Sequence, residues 1–291
     1  MRKEILLLLT ASFFWGTSFP FIKYSLQNVP PIELLLLRFG LSSLMIFIFL
    51  ALGYAKVKFY SKEILLLGFT NALGFLFQFL GQKFTSASVA PLIIHTNLVI
   101  VVLLSWILLK ERITGKTIIA VILASAGVFI LTTKLNFSNL SFSSYRGELL
   151  LLLAAISWAF FIIFSRKYER QVASPQATFG VLLWTFFFQT PLFLISRTNF
   201  SFSALLKGGY LAVFCTIIPY LLYFQAIKKL RAVSTNIILT AEIFFAILLS
   251  IIFLSERPDF SFGLGGALIM LAIYLLFLDE RAGYHKQKEE I

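Results

Sequence analysis

The residue with the most distinct chemistry in this chain is Glu242, a carboxylate about eleven residues from either end of a long apolar segment. An ionised side chain at the centre of a bilayer costs roughly 2.5–3.5 kcal/mol on insertion scales, so it needs a proton, a partner or a water-filled cavity. Two interpretations follow. Glu242 carries a proton or binds a cationic group of a ligand, or it is protonated or hydrogen-bonded and holds helices together.

A repeated phrase gives Glu242 a counterpart. Lys110-Glu111-Arg112 and Ser255-Glu256-Arg257 each close an apolar run, and the two copies lie 145 residues apart. The same offset pairs Asn97 with Glu242. If the two halves are inverted repeats, the two residues should approach each other near the midplane, where such proteins bind their substrates.

Other polar and aromatic residues also occur within apolar segments. Asn71 and Gln78 are seven residues apart, which places them on the same face of a helix. Trp15 and Trp158 lie at corresponding positions in the middle of their segments, although Trp usually prefers the membrane interface. We expect a cavity lined by these side chains, and the alternative is packing and hydrogen bonding between helices. The predicted cavity set is Trp15, Asn71, Gln78, Asn97, Trp158, Tyr220, Tyr223 and Glu242.

A second helix face carries His95. Two residues correspond to about 200° of helix rotation, so His95 and Asn97 should not face one cavity in a regular helix. We expect one face to line the site and the other to pack. The second face holds His95, Asn236 and Thr240, where His95 is either a proton relay or hydrogen-bonded to a neighbouring helix. Lys23 and Arg38, in the outer halves of the first two segments, are candidates for an outer gate, an anion contact or a structural role.

Composition excludes several classes of protein. The chain is 59% hydrophobic and only 13% charged, against about a quarter charged in soluble domains. The net charge of +12 comes from short basic clusters between apolar runs, which does not favour nucleic-acid binding. One Cys, two His and no nucleotide-binding, zinc or nucleophile motif argue against an enzyme, a cofactor or a metal.

The apolar pattern predicts an all-α integral membrane protein with ten transmembrane helices in two inverted five-helix repeats. The first segment resembles a signal peptide, but without a cleavage site we expect a retained helix. The predicted helices are 4–26, 32–53, 63–83, 86–109, 115–133, 147–167, 175–196, 204–227, 232–254 and 260–279. The predicted division is 1–133 for the first repeat, 134–146 for a linker, and 147–291 for the second repeat with a short tail. With both termini in the cytoplasm, 17 basic residues lie inside and 6 outside.

These residues also resemble a known family. The chain looks like an EamA-type member of the drug/metabolite transporter superfamily. The motifs that carry the resemblance are Trp15-Gly16-Thr17-Ser18-Phe19, Pro31, Arg38-Phe39, Ser157-Trp158-Ala159, Pro219-Tyr220 and the two Glu-Arg phrases. The resemblance implies ten helices, a central cavity and alternating access. The chain departs from the family at one feature. The family often has a proline in the middle of the fourth and ninth helices, but this chain has Leu98 and Ile243 at those positions.

We therefore expect a secondary active transporter that exports amino acids, related metabolites or amphipathic and cationic drugs, with protons coupled through Glu242. The alternative is an exchanger of anionic metabolites that uses Lys23 and Arg38, and a remote alternative is a membrane-embedded enzyme or scaffold. The expected partners are a small-molecule substrate, protons and the lipid bilayer, in a prokaryotic plasma membrane, as a monomer or a homodimer.

Overall fold

Ten helical spans, each long and apolar enough to cross a bilayer, make up the part of the chain that the structure describes. The structure is a computed structural model, and it describes residues 2–54, 56–58, 61–85, 89–136, 138, 145–172, 175–195, 201–254 and 260–289. No strand occurs among these residues. The prediction of an all-α integral membrane protein with ten spans is confirmed, while the Ser255-Glu256-Arg257 phrase lies outside the described residues.

Six spans are single helices, and four are divided. The single helices are Arg2–Ser25 (span 1), Pro31–Ala51 (span 2), Lys62–Phe84 (span 3), Gly115–Thr133 (span 5), Tyr145–Lys167 (span 6) and Phe260–Glu289 (span 10). Span 4 comprises Val89–Ile94, Asn97–Leu104 and a π-helical turn, Ser105–Leu109. Span 7 comprises Pro175–Gln189 and Leu192–Ile195, after a short helix, Glu169–Val172. Span 8 comprises Phe202–Ala212, the π-helical turn Val213–Ile217, Ile218–Ala226 and the 3₁₀ turn Ile227–Lys229. Span 9 comprises Ala232–Leu239 and Ala241–Leu254.

Spans 4 and 9 are interrupted at corresponding positions, without a proline at either break. Around His95 and Thr96 the backbone uses i→i−3 hydrogen bonds, such as Leu98 N–H to His95 O at 3.0 Å. In span 9, Ile243 N–H likewise donates to Thr240 O at 3.2 Å. The Thr96 and Thr240 hydroxyls each donate to the carbonyl three residues earlier, both at 2.7 Å. Such back-bonding competes with the regular backbone hydrogen bonds, and it occurs at both breaks, where no proline is present.

Two prolines lie within divided spans, Pro91 in span 4 and Pro219 in span 8, but neither lies at the breaks described above. Pro91 lies in the first turn of Val89–Ile94, where a proline removes no helical hydrogen bond, so it does not produce the break in span 4. Pro219 follows the π-helical turn in span 8. Proline has no backbone N–H to donate. In a regular α-helix residue 219 would donate to the Cys215 carbonyl, so this carbonyl can accept a hydrogen bond from another group.

The most extensive contacts between spans recur when each span is exchanged for the one five places away. Span 1 contacts spans 8 and 9, and span 6 contacts spans 3 and 4. Span 3 contacts span 7, span 8 contacts span 2, and the pairs 2–7 and 5–10 map onto themselves. This is the contact pattern that a pseudo-twofold axis between two repeats would require. The repeat boundaries themselves stay a prediction.

Half-buried charged side chains connect the span ends at one end of the molecule. Glu111 accepts from the first N–H of span 9, Ala232 N, at 2.9 Å, and lies 3.7 Å from Arg166 Nε. Arg231 bonds Asp279 at 2.6 Å and Glu280 at 2.7 Å. We call these five charged residues the end cluster. It ties the ends of spans 4, 6 and 10 to the turn between spans 8 and 9.

The end cluster also perturbs two groups outside the spans. Burial raises the pKa of Glu111, against the opposing effect of the Ala232 N–H and the nearby Arg166 and Arg231. Burial alone would lower the pKa of Arg231, but Glu280 and Asp279 together raise it above its usual value. The Arg231 guanidinium is therefore a fixed positive charge, and it is neutralised by the end of span 10.

Candidate functional site

A cavity lies at the centre of the molecule, where the broken spans 4 and 9 meet spans 1, 2, 3, 6 and 8. Its water-accessible volume is about 90 Å³, which is enough for several water molecules. Its polar lining comprises Ser18, Arg38, Gln78, His95, Asn97, Tyr220, Tyr223, Asn236 and Glu242. Its apolar lining comprises Trp15, Phe19, Phe75, Ile94, Trp158, Phe161, Ile162 and Leu239.

Both breaks contribute an ionisable side chain to this cavity. His95 at the break of span 4 and Glu242 just after the break of span 9 face each other, with 3.7 Å between Nε2 and Oε1. Their side chains are 9% and 18% exposed, so both are largely withdrawn from solvent. No hydrogen-bond partner of either His95 ring nitrogen occurs among the described residues. The pair can therefore hold or exchange a proton, or receive a polar group of a ligand.

The expectation that only one face of span 4 lines the site is wrong. His95 and Asn97 both line the cavity, because the tight turn between them changes the rotation per residue. Beside the same break, Asn236 Nδ2 donates a hydrogen bond to Asn97 Oδ1 at 3.4 Å, while Glu242 faces His95. Thr240 does not line the central cavity. Its hydroxyl bonds within span 9, and it borders a separate groove beside span 5.

Arg38 is buried in the cavity wall. It is 1% exposed, and it donates from Nε to Thr216 Oγ1 at 2.8 Å and from Nη2 to the Cys215 carbonyl at 2.5 Å. That carbonyl is the one that Pro219 leaves without a helical donor. The guanidinium also lies 4.3 Å from the centre of the Phe75 ring. Lys23 is the other candidate for an outer gate or an anion contact, and its side chain lies outside the described part of the structure.

The polar side chains of Asn71 and Gln78 in span 3 form hydrogen bonds with spans 6, 7 and 8. Gln78 lines the cavity, and its Oε1 accepts from Trp158 Nε1 at 3.1 Å. Asn71 was expected to line the cavity too, but it is completely buried behind it. It donates to Thr185 Oγ1 at 2.9 Å and accepts from the Tyr220 hydroxyl. Asn71 therefore orients Tyr220, since an amide can satisfy a donor and an acceptor at once.

Aromatic rings form much of the remaining wall. Trp15 meets Tyr220 edge to face at 5.5 Å between ring centres, Phe75 meets Trp158 at 4.8 Å, and Phe161 stacks on Tyr223 at 5.8 Å. Sequence reasoning missed Phe75 and Phe161, because 34 phenylalanines make any one of them uninformative. Phe161 does lie almost one helical turn after Trp158, which was a usable signal.

Gly16 allows span 1 to reach the break in span 9. A Cβ atom at this position would lie 2.7 Å from the Glu242 carbonyl oxygen and 2.9 Å from Phe245 Cβ. Only glycine permits this approach, which brings the neighbouring Trp15 ring to the cavity. In the described part of the chain no three His, Cys, Asp or Glu side chains are grouped as metal ligands.

Ten spans around a central cavity with polar and aromatic walls define the class of this protein as a polytopic membrane protein. Comparison with known proteins then identifies the family. The EamA-like transporter family matches residues 2–133 and, separately, 145–278. The chain belongs to this family, and it is an integral membrane transporter.

Individual relatives agree with this assignment. An uncharacterized transporter of Archaeoglobus fulgidus is 27% identical over 282 residues, covering 94% of this chain and 96% of the relative. Probable amino-acid metabolite efflux pumps are similar too. The Escherichia coli pump is 28% identical, over 76% of this chain and 73% of its own length, and the Salmonella typhimurium pump is 31% identical, over 72% and 66%. A solved crystal structure shares the fold, with a TM-score of 0.82, 19% identity and coverage of 97% of this chain and 99% of that one.

Proposed function

We propose that this protein is a secondary active exporter of small organic solutes, which binds them in the central cavity and couples their movement to protons through Glu242. The observation that carries the proposal is the pair of Glu242 and His95, 3.7 Å apart at the breaks of two symmetry-related spans. An intramembrane carboxylate beside a histidine is the arrangement that proton relays in transporters use.

Amino acids and related metabolites are the proposed cargo. Two of the relatives are called probable amino-acid metabolite efflux pumps, which supports this class without extending to a particular compound. The mixed wall of the cavity supports it as well, because it combines polar side chains with aromatic rings. Exchange of anionic metabolites is the second candidate, and the buried Arg38 favours it.

Flux into proteoliposomes tests the proposal. Purified protein is reconstituted, and uptake of labelled amino acids, metabolites and cationic drugs is measured with and without a pH gradient. We expect at least one solute to move faster when protons move in the opposite direction. The proposal fails if no solute of these classes moves under either condition.

The variant Glu242→Gln tests the coupling separately. A glutamine side chain cannot release a proton, so we expect the pH-driven flux to be lost while the variant still folds. The matched control is Glu63→Gln, since Glu63 lies at the start of span 3 and bonds Ser61 outside the cavity. Wild-type acceleration by the pH gradient in Glu242→Gln would remove Glu242 from the coupling mechanism.

We also propose that the protein resides in a prokaryotic plasma membrane with both termini in the cytoplasm. The excess of basic residues at the span ends on that side supports the orientation. The end cluster would then lie at the cytoplasmic end of the molecule.

A further inference from the structure

The cavity contains a positive charge without an acidic neighbour. Arg38 is 1% exposed, yet within the described residues no carboxylate oxygen lies within 4.0 Å of it. Its hydrogen bonds go to a hydroxyl and a backbone carbonyl, which hold the group but do not neutralise it. Because a buried charge is costly unless it is paired, this guanidinium is prepared for an anion that comes from outside the protein.

The same cavity contains a carboxylate that is not used to neutralise Arg38. Glu242 lines the cavity with Arg38, but the two do not form an ion pair, and the ionisable neighbour of Glu242 is His95. Tyr220 shares this wall, but its hydroxyl is engaged by Asn71 and its ring by Trp15. A basic and an acidic side chain thus line one small chamber without pairing with each other.

The wall around these charges is apolar and aromatic. Phe75 lies against the Arg38 guanidinium, and Trp15, Trp158 and Phe161 line the cavity beside it. Rings of this kind favour apolar groups of a ligand. A ligand that matches the chamber therefore has an anionic group, a cationic group and an apolar body.

We propose that the cavity selects zwitterionic amino acids with apolar side chains, with Arg38 binding the carboxylate and Glu242 the ammonium group. This inference rests on the proposed function and narrows its substrate class. A guanidinium suits a carboxylate because its planar donors can meet both oxygens. The ammonium group of the amino acid pairs with the ionised form of Glu242, and a bound proton neutralises that form. The amino acid and the proton would therefore bind to Glu242 alternately.

The chamber should reject compounds that lack either charge. An amino-acid amide leaves Arg38 unpaired, and an N-acetyl amino acid leaves Glu242 without its cation. Removing one partner of a buried charge pair is more costly than removing both. We therefore expect both analogues to bind at least about tenfold more weakly than the parent amino acid, since a hydrogen bond to a charged group is worth roughly this factor or more.

The test uses the full-length protein in proteoliposomes. Labelled L-leucine and L-phenylalanine are the transported probes, and the unlabelled amides and N-acetyl derivatives of each are the competitors. We expect the parent compounds to move and the derivatives to compete at least about tenfold less well. Equal competition by the amide would overturn the role of Arg38, and equal competition by the N-acetyl compound would overturn that of Glu242.

Variants of Arg38 add a second measurement. Arg38→Gln should abolish the preference for the free acid over the amide, and Arg38→Lys should restore part of it, because the charge returns without the planar donors. Lys207→Gln is the matched control, since Lys207 is also a buried basic residue but lies outside the cavity, beside Tyr24. A structural role alone would lower the amount of folded protein without changing the ratio of acid to amide.

The outcomes separate this inference from the proposed function. If other solutes move but neither amino acid does, or if the amides move as well as the acids, the zwitterion site is wrong and the transporter function stands. If no solute of any tested class moves, the proposed function itself fails. If Arg38→Gln does not fold, the competition series on the wild-type protein still decides.

Discussion

At the scale of single residues, buried amide side chains in and behind the cavity wall determine where its aromatic rings lie. Asn71 joins Thr185 of span 7 to Tyr220 of span 8, and Gln78 holds the Trp158 ring. None of these bonds needs a charge, and Asn71 and Gln78 each hold a ring residue that lines the cavity. Their contribution is therefore to position the walls as well as to stabilise the fold.

A double-mutant cycle on Asn71 and Tyr220 should measure this contribution. Asn71→Leu and Tyr220→Phe each remove one side of the hydrogen bond, so we expect each to lower the free energy of unfolding. The coupling between them should be roughly 0.6 kcal/mol, with an upper limit of about 1.7 kcal/mol. The measurement is denaturant unfolding of the four proteins in mixed micelles. Strict additivity would mean that the bond between the two side chains contributes nothing.

Sequence could predict which residues matter here better than which residues meet. Glu242, Asn97 and His95 stand out because polar groups are rare in apolar segments. Their pairing could not be predicted, because the 145-residue offset assumes that both helices are regular. The turn at His95 and Thr96 changes the register, so Glu242 faces His95 instead of Asn97.

At the scale of helices, the contact between spans 5 and 10 shows how two elements approach closely. Gly127 and Gly265 face each other, and a Cβ atom at position 127 would lie 2.8 Å from the Gly265 carbonyl oxygen. Small residues allow backbones to approach in this way within membranes. Because spans 5 and 10 come from different halves, these residues help to join the halves.

The substitution Gly127→Ala tests this contact. The added methyl group meets backbone atoms that cannot move independently, so we expect it to destabilise the protein by about 1–3 kcal/mol. Gly263→Ala is the control, because a Cβ atom there has nothing within 4 Å and alanine favours the helix. Thermal unfolding in detergent compares the two. Equal melting temperatures would show that spans 5 and 10 are free to separate slightly.

The existence of the helices was predictable, and their interruptions were not. About 20 apolar residues suffice to predict a span, and all ten predicted spans occur. The breaks in spans 4 and 9 have no proline to signal them. A threonine hydroxyl bonds back along its own helix at each break, but the same bond occurs in helices that do not break, such as that of Thr17 in span 1.

At the scale of the whole molecule, charge is distributed unequally between the two ends. Much of the basic excess and the end cluster lie at the end where span 1 begins and span 10 finishes. If the positive-inside rule applies, this end faces the cytoplasm. The orientation is a prediction that follows from the sequence and not from the packing.

Reporter fusions in a bacterial host test the orientation. A fluorescent protein that matures only in the cytoplasm should fluoresce when fused after Lys110 or at the C-terminus. An alkaline phosphatase fused after Lys134 should be active, because that enzyme works only outside. The opposite pattern at all three positions would invert the proposed topology.

The breaks in spans 4 and 9 have a consequence for the energetics of transport. A helix interrupted by proline has permanently lost a donor, but here every amide N–H at the two breaks is still present. Residues 94–97 and 239–241 can therefore exchange tight 3₁₀ bonds for ordinary α-helical ones without leaving any group unpaired. In a regular α-helix, positions two residues apart point about 200° away from each other. Straightening span 4 would therefore turn His95 and Asn97 to different faces, so that they no longer line the same cavity. Under the proposed function, we therefore expect release of the solute to accompany the straightening of these two helices.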